Sequence, residues 1–140
     1  MLKTILYKHS LKKNYATFNK TQEIINYKDE VIFNDFVMTH NLMGKIYVFK
    51  DTDVDINKNI IIGHSHQQYH RIINNYDLIN PGSIGQNRQN IELSNYIIWD
   101  VEKNKFHLKE LQVNPNLLIN ELEIRKYPKI CIDYYKNKIK

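Results

Sequence analysis

Ile60-Ile61-Ile62-Gly63-His64-Ser65-His66 is the stretch from which the remainder of this chain is best read. Three isoleucines in a row, with no polar alternation, suit a short strand buried on both faces of a sheet. Glycine follows where such a strand would leave the sheet, and it permits a sharp turn or a close approach of backbone to a ligand. Two histidines then stand at i and i+2. In an extended chain those side chains share one side, roughly 6.5 Å apart at their Cα atoms. Such a pair can serve one metal ion, or one each of two ions held about 3.5–4 Å apart. The pattern predicts a metal site at a sheet edge.

Neighbouring segments extend the pattern. Upstream, Phe36-Val37-Met38-Thr39-His40 reads as a strand ending in a lone histidine. Downstream come Ile79-Asn80-Pro81-Gly82-Ser83-Ile84-Gly85-Gln86-Asn87-Arg88 and then the strand Ser94-Asn95-Tyr96-Ile97-Ile98-Trp99-Asp100. From about Phe36 to the C-terminus, this arrangement resembles the C-terminal half of the calcineurin-like metallophosphoesterases, specifically the small bacterial and archaeal phosphodiesterase branch. Asn-Pro-Gly-Ser is the most specific piece and Gly-His-x-His the next.

The resemblance implies an α/β (α+β) fold, the C-terminal portion of an α/β/β/α sandwich with a mixed sheet and flanking helices. It implies that His40 and His64 serve one metal ion and His66 a second. Gly63, Asn80, Pro81, Gly82 and Ser83 would shape the supporting loops. Arg88 is a candidate for bidentate contact with a substrate phosphate, beside the plainer reading of an exposed loop arginine. The implied cofactor is a divalent ion, Mn²⁺ first, with Zn²⁺, Fe²⁺ or Ni²⁺ as alternatives. The implied reaction is in-line attack on a phosphoester by a metal-bound hydroxide, a metal lowering the pKa of water from 15.7 to about 7. The substrate is not specified.

Members of that family build their centre from five sequence blocks. The first three, Asp-x-His, Gly-Asp-x-x-Asp and Gly-Asn-His-Asp/Glu, do not occur in this sequence. Gly44 is its first glycine, and His9 has Tyr7, not aspartate, two residues before it. The expectation is a single partial domain over residues 1–140 in which the N-terminal metal-binding blocks are absent. Without the bridging carboxylate, three imidazoles make a poor dinuclear site, so this truncated chain alone should have weak phosphoesterase activity or none. A complementary N-terminal half, or a second copy of the chain, would complete it. Two other readings stand beside this one. The fold could serve as a non-catalytic binding or scaffold module, or His64 and His66 could join His70 or His40 in a mononuclear zinc site. His70 itself reads better as a solvent-facing strand residue.

Composition sets the remaining bounds. The 140 residues, 42% hydrophobic and 25% charged, suit one soluble domain with a modest core. No run reaches the ~18–20 apolar residues of a membrane span, and the opening is too short and polar for a secretory signal. The single cysteine, Cys131 between Ile130 and Ile132, excludes an internal disulfide. It reads as a buried, inert thiol and points to a cytoplasmic setting. The net charge of +5 comes from dispersed lysines, so a nucleic-acid partner is not expected.

Along the chain, Asn19 or Thr21 could cap a helix through Gln22-Glu23-Ile24-Ile25. Val31-Ile32-Phe33, Phe36–Thr39 and Ile46-Tyr47-Val48-Phe49 read as strands. Asp51–Asn57 is a polar connector. It is no EF-hand loop, because Ile56 and Ile62 stand where glycine and glutamate are needed. Tyr69–Ile73 and Tyr76–Ile79 form a hairpin across Asn74-Asn75, residues that tolerate positive φ. Tyr96–Asp100 and Lys105–Leu108 form another. Pro115 starts a helix over Asn116–Ile124, with Leu117, Leu118, Glu121, Leu122 and Ile124 giving its apolar stripe, and a last helix spans Ile130–Lys136.

Overall fold

A computed structural model describes residues 29–139 apart from Met43 and Ile46. The helix expected around Gln22–Ile25, and His9, lie outside the described residues. Two compact units are present, one of Lys28–Val113 and one that contains Asn114–Lys140.

The first unit carries seven described strands: β1 (Glu30–Phe33), β2 (Phe36–Thr39), β3 (Asn59–Ile62), β4 (Gln68–Ile73), β5 (Tyr76–Pro81), β6 (Leu93–Asp100) and β7 (Lys105–Gln112). Five form a mixed sheet in the order β1-β2-β3-β5-β4, and β6 and β7 form a separate two-stranded sheet. β2, β3 and β5 run parallel at the centre, and the two outer strands pair antiparallel. The mixed α/β class is as the sequence implied.

Turn chemistry accounts for the tight connections. Asn34 (φ 53°) turns β1 into β2, and Asn74 and Asn75 (φ 52° and 66°) turn β4 into β5. Asparagine tolerates this left-handed region better than most residues, which is what a two-residue hairpin needs.

The sheet has two faces of different character. On one, Ile60 and Ile62 of β3 pack with Val48, Ile56, Tyr69 and Leu78. Burying each aliphatic side chain there contributes about 1.5–3 kcal/mol. The other face meets the two-stranded sheet through aromatics. Phe36 lies 4.9 Å from Trp99 and 5.1 Å from Phe106, both edge-on. Trp99 and Phe106 stack at 5.0 Å across the β6–β7 pair.

Two expectations need correction. β3 is not equally buried on its two faces: Ile60 and Ile62 are buried whereas Ile61 and Asn59 are intermediate. The predicted strand at 46–49 does not form over Tyr47–Phe49. Side chains take the place of a ladder there. The Tyr69 hydroxyl donates to the Val48 carbonyl, the Phe49 N–H donates to Thr52 Oγ1, and the Lys50 N–H donates to Gln67 Oε1. Tyr47–Phe49 thus joins no strand of the sheet, and these side-chain bonds tie it down instead.

In the second unit, α1 (Pro115–Ile124) starts at Asn114, whose side chain accepts the Asn116 N–H, with proline in the first turn. Its buried residues are Pro115, Ile119 and Leu122, spaced four and three apart as on one helix face. The expected stripe is thereby corrected: Leu117 and Ile124 are 70% and 74% exposed, because they lie off that face. α2 (Lys129–Lys136) buries Cys131 and Tyr135. Burial pushes the Cys131 thiol pKa upward, in accord with an inert cysteine. No helix among the described residues is long and apolar enough to cross a membrane.

Candidate functional site

The site lies at the C-terminal ends of the parallel strands β2 and β3. Their register pairs Thr39 with Ile62, so His40 and Gly63 leave the sheet side by side. A Cβ on Gly63 would stand 3.2 Å from His40 Nδ1. Glycine there lets the imidazole close in. His40 Nε2 and His64 Nδ1 are 2.7 Å apart, with their rings nearly perpendicular.

The Gly-His-x-His segment is a turn and not an extended strand end, which corrects the geometry inferred from i,i+2 spacing. The Ser65 N–H donates to the Gly63 carbonyl at 2.7 Å, closing a three-residue γ-turn around His64. His64 and His66 have φ of 60° and 59°. Such left-handed backbone costs a non-glycine residue roughly 1–2 kcal/mol. Within the loop, two strained residues are both histidines.

Buried polar side chains hold the loop in this shape. Asn80, fully buried at the end of β5, donates through Nδ2 to the Gly63 carbonyl (2.8 Å) and to Ser65 Oγ (2.9 Å). Its Oδ1 accepts the Gly82 N–H at 2.9 Å. Gly82 has φ 84°, and a Cβ there would fall 2.5 Å from the Asn95 Cβ, so the Pro-Gly step admits only glycine. Asn95 bonds in turn to Asn87, to Glu110 and, through its N–H, to the Ser83 carbonyl. Ser83 Oγ accepts the Gln86 N–H at 3.0 Å. Hydrogen bonds of the Asn-Pro-Gly-Ser segment thus reach both the histidine turn and the loop after β5.

His66 is oriented separately. Its Nδ1 lies 2.6 Å from the Gln86 carbonyl. A carbonyl oxygen only accepts, so Nδ1 is the donor and carries a proton. Metal-ligating histidines are oriented in the same way by outer-shell carbonyls. His40, Gly63, His64, His66, Ser83 and Tyr96 line one open cleft of about 480 Å³.

The structure thus brings His40 and His64 into contact and places His66 in the same cleft. His70 lies apart, on β4, where Nε2 is 2.6 Å from Asp77 Oδ1. Arg88 comes to the site's edge. It donates from Nη2 to the His64 carbonyl at 3.1 Å and lies 4.8 Å over the Tyr47 ring. Tyr47 is the residue that reading the sequence overlooked: its ring centroid is 4.6 Å from that of His64. Nothing in the local pattern around Tyr47 signals this, because the contact joins segments far apart in the chain. Gln86 was also missed, since it acts through its backbone.

Among the described residues, no three His, Cys, Asp or Glu side chains converge as a complete ligand set. Two nitrogen ligands of one tetrahedral ion lie about 3.3 Å apart when each bond is 2.0–2.1 Å. The His40–His64 pair would have to open by roughly half an ångström to hold one. The pair supplies two donor nitrogens of a chemistry divalent ions accept, at a separation short of that spacing.

A family model described as a calcineurin-like phosphoesterase superfamily domain matches residues 10–104. A hypothetical protein from Pyrococcus horikoshii is similar in fold, with a TM-score of 0.70 at 10% identity, covering 91% of this chain and 57% of its own. A metallophosphoesterase from Sphaerobacter thermophilus gives 0.64 at 12% identity, covering 84% of this chain and 62% of its own. At such identities the likeness is one of fold, and the chain spans about three-fifths of either neighbour. No curated protein matches its sequence. With a family match over most of its length and the same architecture in both neighbours, the chain belongs to the calcineurin-like phosphoesterase superfamily, whose members generally depend on divalent metal ions.

Proposed function

We propose that the His40–His64–His66 cleft is the imidazole side of a divalent-metal centre for phosphoester hydrolysis. One observation carries this reading: two histidines from separate parallel strands meet at 2.7 Å beside a glycine, in a turn that holds His64 and His66 in strained backbone. Strain of this kind persists where surrounding structure enforces it, commonly at functional sites. Packing alone gives no reason to place two imidazoles together at the mouth of an open cleft.

His40 and His64 would hold one ion, and His66, with its proton fixed on Nδ1 by the Gln86 carbonyl, would offer Nε2 to a second. A divalent ion bound there would supply Lewis acidity toward a phosphoryl oxygen and a lowered pKa for water. The chain's own residues orient the imidazoles, keep the turn rigid through Asn80 and line the cleft with Ser83 and Tyr96. Manganese is the favoured ion, because oxygen ligands from a complementary segment or a second copy would complete the set. Hydrolysis by this chain alone should be weak.

Isothermal titration of the full chain with MnCl₂ and with ZnCl₂ tests the reading, joined by a bis-p-nitrophenyl phosphate assay. Single His40→Ala and His64→Ala variants should each weaken metal binding by at least tenfold. Metal binding that survives both substitutions undiminished would sink the assignment. Zinc bound with one equivalent and lost on His70→Ala would favour the mononuclear site instead, against the 2.6 Å bond of His70 to Asp77.

A further inference from the structure

We infer that Arg88 and Tyr47 are positioning residues that clamp the His64 turn, acting through His64 and not through a substrate phosphate. The inference rests on reading His64 as a metal ligand.

Three segments meet at this point. Tyr47 lies in the connector after β2, His64 in the turn after β3, and Arg88 in the loop after β5. The Arg88 guanidinium donates to the His64 backbone carbonyl at 3.1 Å, and its Cζ stands 4.8 Å from the Tyr47 centroid. The Tyr47 ring in turn lies 4.6 Å from the His64 ring, tilted by 56°. Arginine therefore grips the His64 main chain while the aromatic ring it covers packs against the His64 side chain. A planar guanidinium can stack on a ring and donate in its own plane at once, which an ammonium cannot.

The clamp answers a need created by the backbone. His64 sits at φ 60°, and such a residue relaxes toward the β or right-handed region unless it is held. Asn80 holds the flanking residues, Gly63 and Ser65. The bond from Arg88 falls on the carbonyl of His64 itself. Its loss would remove one restraint on the turn, beside those that Asn80 places on Gly63 and Ser65.

Two measurements on the full chain decide the matter. Arg88→Ala and Tyr47→Leu should each weaken Mn²⁺ binding by roughly ten- to a hundredfold, the usual cost of losing an outer-shell support. Arg88→Lys, which can reach the carbonyl but cannot stack, should fall between Arg88→Ala and the wild type. The second measurement needs no metal. Amide hydrogen exchange at Ser65, whose N–H closes the turn, should accelerate at least tenfold in Arg88→Ala and Tyr47→Leu. Exchange at Ile79 in β5 should stay within twofold, which separates local release from general loosening. If wild type binds no Mn²⁺, the metal role fails and the exchange comparison still judges the clamp. Ser65 exchange within twofold of wild type, or equal acceleration at Ile79, would overturn the inference. So would unchanged Mn²⁺ affinity with weakened binding of inorganic phosphate, the outcome expected of a phosphate-contacting arginine.

Discussion

Asn80→Ala is the substitution from which the site's architecture can be measured most directly. Asn80 has no exposed surface, and its side chain donates to the Gly63 carbonyl and Ser65 Oγ and accepts from the Gly82 N–H, besides an interaction with the Tyr69 hydroxyl. Each intramolecular hydrogen bond is worth about 1 kcal/mol net, and a buried group left without its partner costs more. Ser65 is buried, so its hydroxyl cannot turn to water. Gly63 and Gly82 are partly exposed, and water can compensate some of their loss. The expected destabilisation is about 3–4 kcal/mol, a large share of the 5–15 kcal/mol that holds a typical domain. With a urea m-value of about 1.5 kcal/mol/M, the midpoint should fall by roughly 2 M. Asn80→Asp keeps the acceptor for the Gly82 N–H but sets a buried carboxylate oxygen against the Gly63 carbonyl, and should destabilise at least as much as Asn80→Ala. A double-mutant cycle with Ser65→Ala should show a coupling of about 1 kcal/mol, since the two side chains touch. A midpoint shift under 0.5 M, together with strict additivity, would refute the claim that Asn80 holds the histidine turn.

Two further predictions concern the core and the helices. Tyr69 is 2% exposed, and burial pushes its phenol pKa up to about 12. The folded state thus keeps its proton longer than the unfolded state, with pKa near 10. The stabilisation is complete below pH 10 and is lost as pH rises toward 12, to a total of roughly 2–3 kcal/mol. Urea midpoints measured from pH 9 to 11.5 should fall more steeply for wild type than for Tyr69→Phe, and parallel curves would contradict this. At the end of α1, Lys126 occupies φ 54° in a Schellman arrangement, with the Lys126 N–H on the Glu123 carbonyl and the Tyr127 N–H on the Leu122 carbonyl. Lys126→Gly should stabilise by about 0.5–1 kcal/mol in thermal unfolding, because glycine removes the left-handed penalty; a lowered midpoint would show that the lysine side chain has another role.

Much of the strand order was legible because local signals agreed with the fold. Val31–Phe33, Phe36–Thr39 and Ile60–Ile62 are short, apolar and β-branched or aromatic, and all three lie in the mixed sheet. Asn74-Asn75 declared its hairpin because two consecutive residues had to accept positive φ. Tyr47–Phe49 misled for the opposite reason. It has strand-like residues, but its backbone, with that of Lys50, is bonded by the side chains of Tyr69, Thr52 and Gln67 and not by a neighbouring strand. The helix stripe slipped because Leu117 and Ile124 are apolar without facing the buried side of α1.

For the site, the sequence by itself determined which residues could act: the glycine that admits a close neighbour, the histidines that flank Ser65, and the Asn-Pro-Gly-Ser segment that can cross-link a loop. Those choices are local, since side-chain chemistry and φ tolerance belong to single residues. Only the tertiary structure decided which histidine meets which. Spacing suggested His64 beside His66 in an extended chain, whereas a γ-turn directs them to different partners, His40 and the Gln86 carbonyl. Parallel strand register sets the first pairing and a loop from the end of β5 sets the second. Both depend on contacts between residues twenty or more apart, which no short-range pattern encodes.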